Sequence, residues 1–253
     1  MNWYGTYTLF IREVRRFLKV YHQTLIAPVV SALIFLSIFT LAIGEKEHKI
    51  HGIPYIDFVG YGLIIMTIIQ NAFANTSSSL IMAKVLGYIN DILMTPLGGI
   101  EIVLSYTLGA IVRGITVGII LASVLWFIID FRLNSFGLLV FYVLSSCILL
   151  ANLGIISSII TNNFDQNSVI TNYIITPLSF LSGTFFSIHQ LPNWLKIINL
   201  ANPFFYIIDG FRYSLTGFSD GSVPIGMMIL IITNVAMIIL NVIVINSGWK
   251  LKQ

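Results

Sequence analysis

Residues 227–245 read MMILIITNVAMIILNVIVI, nineteen consecutive positions without a charge, a proline or a glycine. Apolar residues run through the stretch without alternating. A strand of a membrane barrel would alternate lipid-facing and lumen-facing side chains over about ten residues. A helix rises about 1.5 Å per residue and needs about 20 apolar residues to cross the roughly 30 Å hydrocarbon core. The stretch therefore predicts a transmembrane helix.

The same signal recurs along the chain. Runs free of Asp, Glu, Lys and Arg cover 20–44, 58–83, 114–129, 133–164, 166–195 and 221–249. Five are long enough to span, and the sixth becomes so if its helix includes Arg113 and the apolar flank before it. Spans are expected near 24–43, 59–80, 104–128, 137–160, 168–187 and 225–246. The fold class is thus an all-α polytopic membrane protein with six transmembrane helices, in a single domain over 1–253. Composition agrees: of 253 residues 57% are hydrophobic and only 9% charged, against about 25% charged in a soluble domain. A net charge of +3 is too small to suggest nucleic acid. Cys147, the only cysteine, allows no intrachain disulfide and no cysteine metal cluster.

Basic residues set the orientation. With six spans both termini share a side, which would hold Arg12, Arg15, Arg16, Lys19, Lys84, Lys250 and Lys252. The other side would hold Lys46, Lys49, Arg132, Lys196 and Arg212. Both termini are expected to be cytoplasmic. A cleaved signal peptide fits poorly, because the apolar stretch behind the four basic residues at 12–19 is long enough to span.

Residues 1–22 form an amphipathic segment. At about 100° per residue, Tyr7, Phe10, Ile11, Val14, Phe17, Leu18 and Tyr21 share one face, and Arg12, Arg15, Arg16 and Lys19 the other. Such a helix would lie in the interface with its cations near anionic head groups, either as an anchor or as a surface that also touches a partner.

Enzymatic signatures are missing. The chain has no H-E-x-x-H, no G-x-S-x-G and no G-x-x-x-x-G-K-[ST]. Any use of ATP would have to come from another subunit. His48 and His51, beside Glu45 and Glu47, look loosely metal-like but read as a solvated loop cluster. Asn75-Thr76-Ser77 matches a glycosylation acceptor inside an expected span and is discarded.

Two segments between spans stand out. Residues 84–99 contain Gly87, a helix-forming stretch from Tyr88 to Met94 with Ile89, Asp91 and Leu93, and then Thr95-Pro96, which would stop it. This short helix either packs on its own bundle or docks into another protein. Residues 188–222 are apolar and aromatic, yet Pro192, Pro203 and Gly210 interrupt them, so they cannot span twice. They predict a pair of short re-entrant or interfacial helices on the outer side, a gate or a structural cap, with Trp194, Tyr206 and Tyr213 suited to the interface. Three features lie within spans. Arg113 must face protein or water; Gly114 and Gly118 permit close helix contact; Pro177 should kink the fifth span.

In this order of parts, Gln23–Pro28 (QTLIAP), Leu93–Pro96 (LMTP) and Leu181–Arg212, with SGTFFSI, LPNW and NPFFYIIDGFR, resemble the permease of ABC-2 type exporters. The likeness runs over nearly the whole chain and is nearest the bacterial inner-membrane transport permeases of about 250 residues. It implies a half-transporter that works as a homodimer with two copies of a separate cytoplasmic ATPase. ATP and Mg would be bound by that ATPase, and no cofactor by this chain. The 84–99 loop would hold the coupling helix (Gly87, Tyr88, Ile89, Asp91, Leu93, Thr95, Pro96), and Arg12, Arg15, Arg16 and Lys19 would belong to the connecting helix. Pro192, Trp194, Asn202, Pro203 and Arg212 would belong to the outer gate, while spans one and five would line the dimer seam. The substrate is left open between a small molecule, a lipid and a glycan, and the resemblance assigns Arg113 no role. Two other classes compete: a carrier or channel acting alone, which would want midplane charges or internal repeats, and a lipid-acting enzyme, for which the four histidines offer no constellation.

Overall fold

The computed structural model describes residues 2–43, 49–50 and 52–250. Glu45, Lys46, Glu47, His48, His51 and Lys252 lie outside the described residues, and with them the loose histidine cluster. The chain is helical: α1 Trp3–Lys19, α2 Ala27–Ile43, α3 Tyr55–Val85, α4 Ile89–Leu93, α5 Gly99–Leu125, α6 Phe136–Ile160, α7 Phe164–Ile170, α8 Thr176–Leu181, α9 Asn193–Leu200, α10 Pro203–Thr216 and α11 Val223–Ser247. A two-residue hairpin, β1 Lys49–Ile50 against β2 Ile53–Pro54, leads into α3.

Among the described residues, five helices are long and apolar enough to cross a bilayer: His22–Leu41, α3, α5, α6 and α11. α3 is their axis. It is 89% buried within the protein over its most apolar window, against 22% for α11, whose sides are left to lipid or to a partner. Buried Ile64, Ile65, Ile69 and Phe73 of α3 meet Val117 and Leu121 of α5 and Leu150 and Ala151 of α6 in one continuous core.

α3 and α5 start before the expected 59 and 104, and α3 continues past 80, because the charges that bounded the apolar runs are satisfied inside the helices. Lys84 Nζ donates to the carbonyls of Ser158 (3.1 Å), Ile159 (3.0 Å) and Thr161 (2.6 Å). It thereby neutralises the negative end of α6. The Glu101 carboxylate accepts the backbone N–H groups of Gly98 and Asn2, capping α5 and tying α1 to it.

The fifth expected span, 168–187, differs more. The helix runs only through α7, a wide π turn at Thr171–Ile175, and α8, and the chain then turns at Gly183, whose φ of +85° favours glycine. Pro177 explains the π turn: it has no N–H for the Tyr173 carbonyl, so the preceding residues rewind to i→i+5 bonding. The same event occurs in the first span, where a π turn at His22–Ile26 precedes Pro28. In each case the π turn begins six residues before its proline.

Gly114 and Gly118 of α5 do meet neighbours closely. A Cβ on Gly114 would lie 3.1 Å from Cys147 Sγ of α6 and from the Ile68 carbonyl of α3; one on Gly118 would lie 2.5 Å from the Ile68 side chain. α11 is held to α6 by two polar rungs: Asn234 Nδ2 donates to Ser145 Oγ (2.7 Å), and Asn241 Nδ2 to Asn152 Oδ1 (2.9 Å). Intramembrane side-chain bonds average only about 0.6 kcal/mol. Asn241→Leu is accordingly expected to shift the detergent melting midpoint slightly; a collapse of the monodisperse peak would show that the rung matters far more.

Candidate functional site

α1 turns only part of its expected apolar face to the bundle: Phe17 is buried and Val14 packs against the core. Thr6, Leu9, Glu13 and Phe17 point inward, whereas Tyr7, Leu18 and Tyr21 are exposed. The rotation follows from Glu13, which is fully buried and supplies the counter-charge for two of the four cations. Its Oε1 accepts from Arg12 Nη2 (3.2 Å) and Ser79 Oγ (2.8 Å), and its Oε2 from Arg16 Nε (3.2 Å). Arg16 Nη2 continues the network to the Asn75 carbonyl (2.7 Å) and Asn75 Oδ1 (3.1 Å). Room for the carboxylate comes from Gly109, where an added Cβ would stand 2.8 Å from Glu13 Cβ. Arg12 and Arg16 are thus drawn toward the protein, while Arg15 and Lys19 remain exposed. Burial alone would lower the Arg12 pKa, but the fields of Tyr106, Glu13 and Tyr88 outweigh it and hold the guanidinium above its ordinary value.

α4 sits beside this helix. Gly87, with φ +82°, turns the chain out of α3; Tyr88 opens α4, and Thr95 Oγ1 caps it by donating to the Ile92 carbonyl (2.6 Å) before Pro96 ends it. Ile89 and Ile92 are buried in a second apolar cluster with Leu9, Leu80, Tyr106 and Ile159, and Leu93 packs against it. The opposite face of α4, with Gly87, Asp91, Met94, Thr95 and Pro96, is exposed. Arg12 lies 5.5 Å from the Tyr88 ring centroid, joining α1 to α4. Between the two helices runs a groove of about 530 Å³, lined by Tyr4, Thr8, Leu9 and Arg12 on one side and Tyr88, Asp91, Ile92 and Pro96 on the other. Residues of the α4 loop and of α1 that lie about 80 positions apart in sequence form one surface.

At the other end of the bundle, Arg212 is buried. Its guanidinium lies 3.5 Å from the Phe58 ring centroid, and Nη2 donates to the Gly183 carbonyl (2.8 Å), clamping α10 to α3 and to the turn after α8. Asn202 caps α10 through the Phe204 N–H (3.0 Å) and donates to Ser182 Oγ (2.8 Å), and Pro203 takes the first helical position. Pro192 and Trp194 are exposed at the start of α9, away from this clamp. The Asp209 carboxylate, unremarked in sequence, collects Ser219 Oγ (2.6 Å) and the N–H groups of Asp220 (2.8 Å) and Gly221 (3.0 Å), fixing the loop into α11.

Arg113, the fifteenth of the 27 residues of α5, is only 7% exposed. Nη2 donates to Asn71 Oδ1 of α3 at 3.0 Å.

This architecture agrees with the comparisons. The sequence profile of the family described as "ABC-2 type transporter" matches residues 4–216. The chain belongs to the ABC-2 type transporter family. It is 30% identical over 253 residues to "Inner membrane transport permease YadH" of Escherichia coli strain K12, covering 100% of this chain and 99% of the relative. The same figures hold for the YadH permease of Shigella flexneri. As an ABC-2 permease the chain is a membrane-embedded transport component. Glu13 was the residue of this permease that sequence reading passed over. A lone acid within a basic helix is itself a signal, because it lies next to Arg12 and one helical turn, three residues, from Arg16.

Proposed function

We propose that the chain is the membrane half of an ATP-driven exporter, with six crossings of an inner membrane and both termini in the cytoplasm. The fifth crossing is the broken α7–α8 helix, and the α9–α10 pair is the outer re-entrant element. Two copies form the substrate path, and a separate cytoplasmic ATPase, which binds ATP and Mg, powers it. The observation that supports this is the α1–α4 groove. Both helices expose an edge at one end of the bundle, share the Arg12–Tyr88 contact, and have their inner faces anchored on α3 and α5. Nucleotide can bias the pore only through contacts that differ between its two states. A groove joined by Glu13 and Arg16 to Asn75 and Ser79 gives such contacts a rigid route into α3. Exposed Ile34, Ile38, Val169 and Tyr173 on the first and fifth segments would meet their copies across the dimer.

The test is a tagged pull-down in mild detergent, comparing wild type with the double substitution Tyr88→Ala and Asp91→Arg. An ATPase recovered with wild type should be lost with the variant, while the permease keeps its dimer elution volume. A dimeric wild type that never retains an ATPase would put a carrier acting alone in first place.

A further inference from the structure

Among the described residues Arg113 has no counter-ion: the ion pairs are Arg12 and Arg16 with Glu13, and nothing within 4.0 Å of Arg113 is acidic. Its Nη2 is matched by a neutral amide, and its buried Nε has no hydrogen-bond partner. Asn71 and Asn75 stand one turn apart on α3, receiving Arg113 and Arg16 respectively. This column therefore sets one carboxylate against three guanidinium groups. A buried, uncompensated cation in a membrane helix is expensive and marks a site where charge is supplied from outside.

The guanidinium borders a cavity of about 390 Å³ between α2, α3, α5 and the broken fifth helix. Gln23, Ser31, Gln70, Thr171 and Thr176 give it polar walls, and Phe35, Leu63, Met66 and Ile175 apolar ones. Gln23 comes from the first π turn, and Thr171 and Ile175 from the second. The prolines that unwind both helices thus bring polar side chains to the same space. Gln23, Ser31 and Phe35 are exposed at its rim, so it opens along α2 toward the bilayer or the dimer seam. Its volume is near the low end for ligand pockets, enough for a head group and too small for a whole lipid.

We propose that this cavity receives the anionic head group of an amphiphile, which Arg113 selects by charge while the apolar body stays between α2 and α8. Identifying that amphiphile as transported cargo rests on the permease reading above. A phosphate or sulfate oxygen would accept from the free guanidinium N–H groups and, from Gln70 and Thr176, neutral hydrogen bonds, whereas the Thr171 hydroxyl already donates to the Asn167 carbonyl (3.0 Å). Hydrogen bonds to a charged group make Arg113 worth roughly a ten- to hundredfold change in affinity.

The test uses the full chain in dodecyl maltoside and tritiated dodecyl phosphate as probe. Saturable binding should be displaced by dodecyl sulfate and not by zwitterionic dodecylphosphocholine. Arg113→Gln should weaken it roughly ten- to hundredfold, and Arg113→Lys should retain part of it. Equal displacement by both competitors overturns the proposal on wild type alone, even if the glutamine variant misfolds. Undiminished binding by a well-folded Arg113→Gln overturns it as well. Two further arms identify the source of the anion. A transported amphiphile stimulates ATP hydrolysis by the reconstituted complex; a resident phospholipid co-purifies with wild type, is missing from Arg113→Gln, and leaves hydrolysis unchanged. If no ATPase associates, the permease reading fails while the binding arms still decide whether the cavity takes an anion.

Discussion

Glu13→Ala should lower the melting midpoint of the detergent-solubilised permease more than any other change in α1. The carboxylate is fully buried and accepts from Arg12, Arg16 and Ser79. Its removal leaves two guanidinium groups facing each other with no acid between them. Breaking a buried pair by deleting one partner costs about 3–5 kcal/mol. Here about 3 kcal/mol is expected, because the Arg12 side chain is 39% exposed and can turn to water. Glu13→Gln separates the two contributions: it can still accept from Ser79, but it has no charge. It should therefore lose most of what alanine loses. The check is fluorescence-detected size exclusion after a heating series. A Glu13→Ala protein that melts with wild type would show that the inward carboxylate does not hold α1 on the bundle, and the route from the α1–α4 groove into α3 would lose its support.

Gly154→Leu is expected to cost about 3 kcal/mol or more and to reduce the yield of folded protein, since overpacking a filled interface costs 1–3 kcal/mol and sometimes exceeds it. At Gly154, α6 lies directly against the backbone of α3. A Cβ there would stand 2.6 Å from the Phe73 carbonyl and nearer still to Thr76 Oγ1, which already donates to the Ala151 carbonyl at 2.8 Å. Backbone cannot rotate aside as a side chain can, so the helices must separate. Gly137 on the same helix is the control: no atom lies within 4 Å of its added Cβ, and Gly137→Leu should melt within a degree or so of wild type. If both variants behave alike, the α3–α6 contact is looser than its geometry states.

The contrast between these glycines shows how far reading the sequence could go. GxxxG spacing pointed to Gly114 and Gly118, and both do lie against Ile68. Gly154 makes a closer approach outside any GxxxG, against a backbone carbonyl from a helix about 80 positions earlier. The helices outrun the charge-free runs for a related reason. Gaps between charges stop at Asp57, Lys84 and Glu101, yet each of these side chains finds backbone partners and so lies inside its helix. The fifth span was expected to bend at Pro177. That Pro28 does the same in the first span, and that both π turns face one cavity, required the packed bundle.

What the sequence by itself determined is the class of solvent and the list of parts. Continuous apolar runs can be satisfied only as helices in lipid, where every backbone group must find its partner within the segment. Glycine and proline placed the short helices between them, since backbone conformation is a local property. The tertiary structure alone decided which charges are neutralised. A face of seven apolar residues allows several rotations, and the rotation of α1 was chosen by where the Glu13 carboxylate could be buried beside Gly109. Arg113 was legible as a charge within a span, but its solitude was not. Electrostatic compensation is a matter of distance in space, and only the assembled α3–α5 interface shows that Asn71, not an acid, stands opposite it.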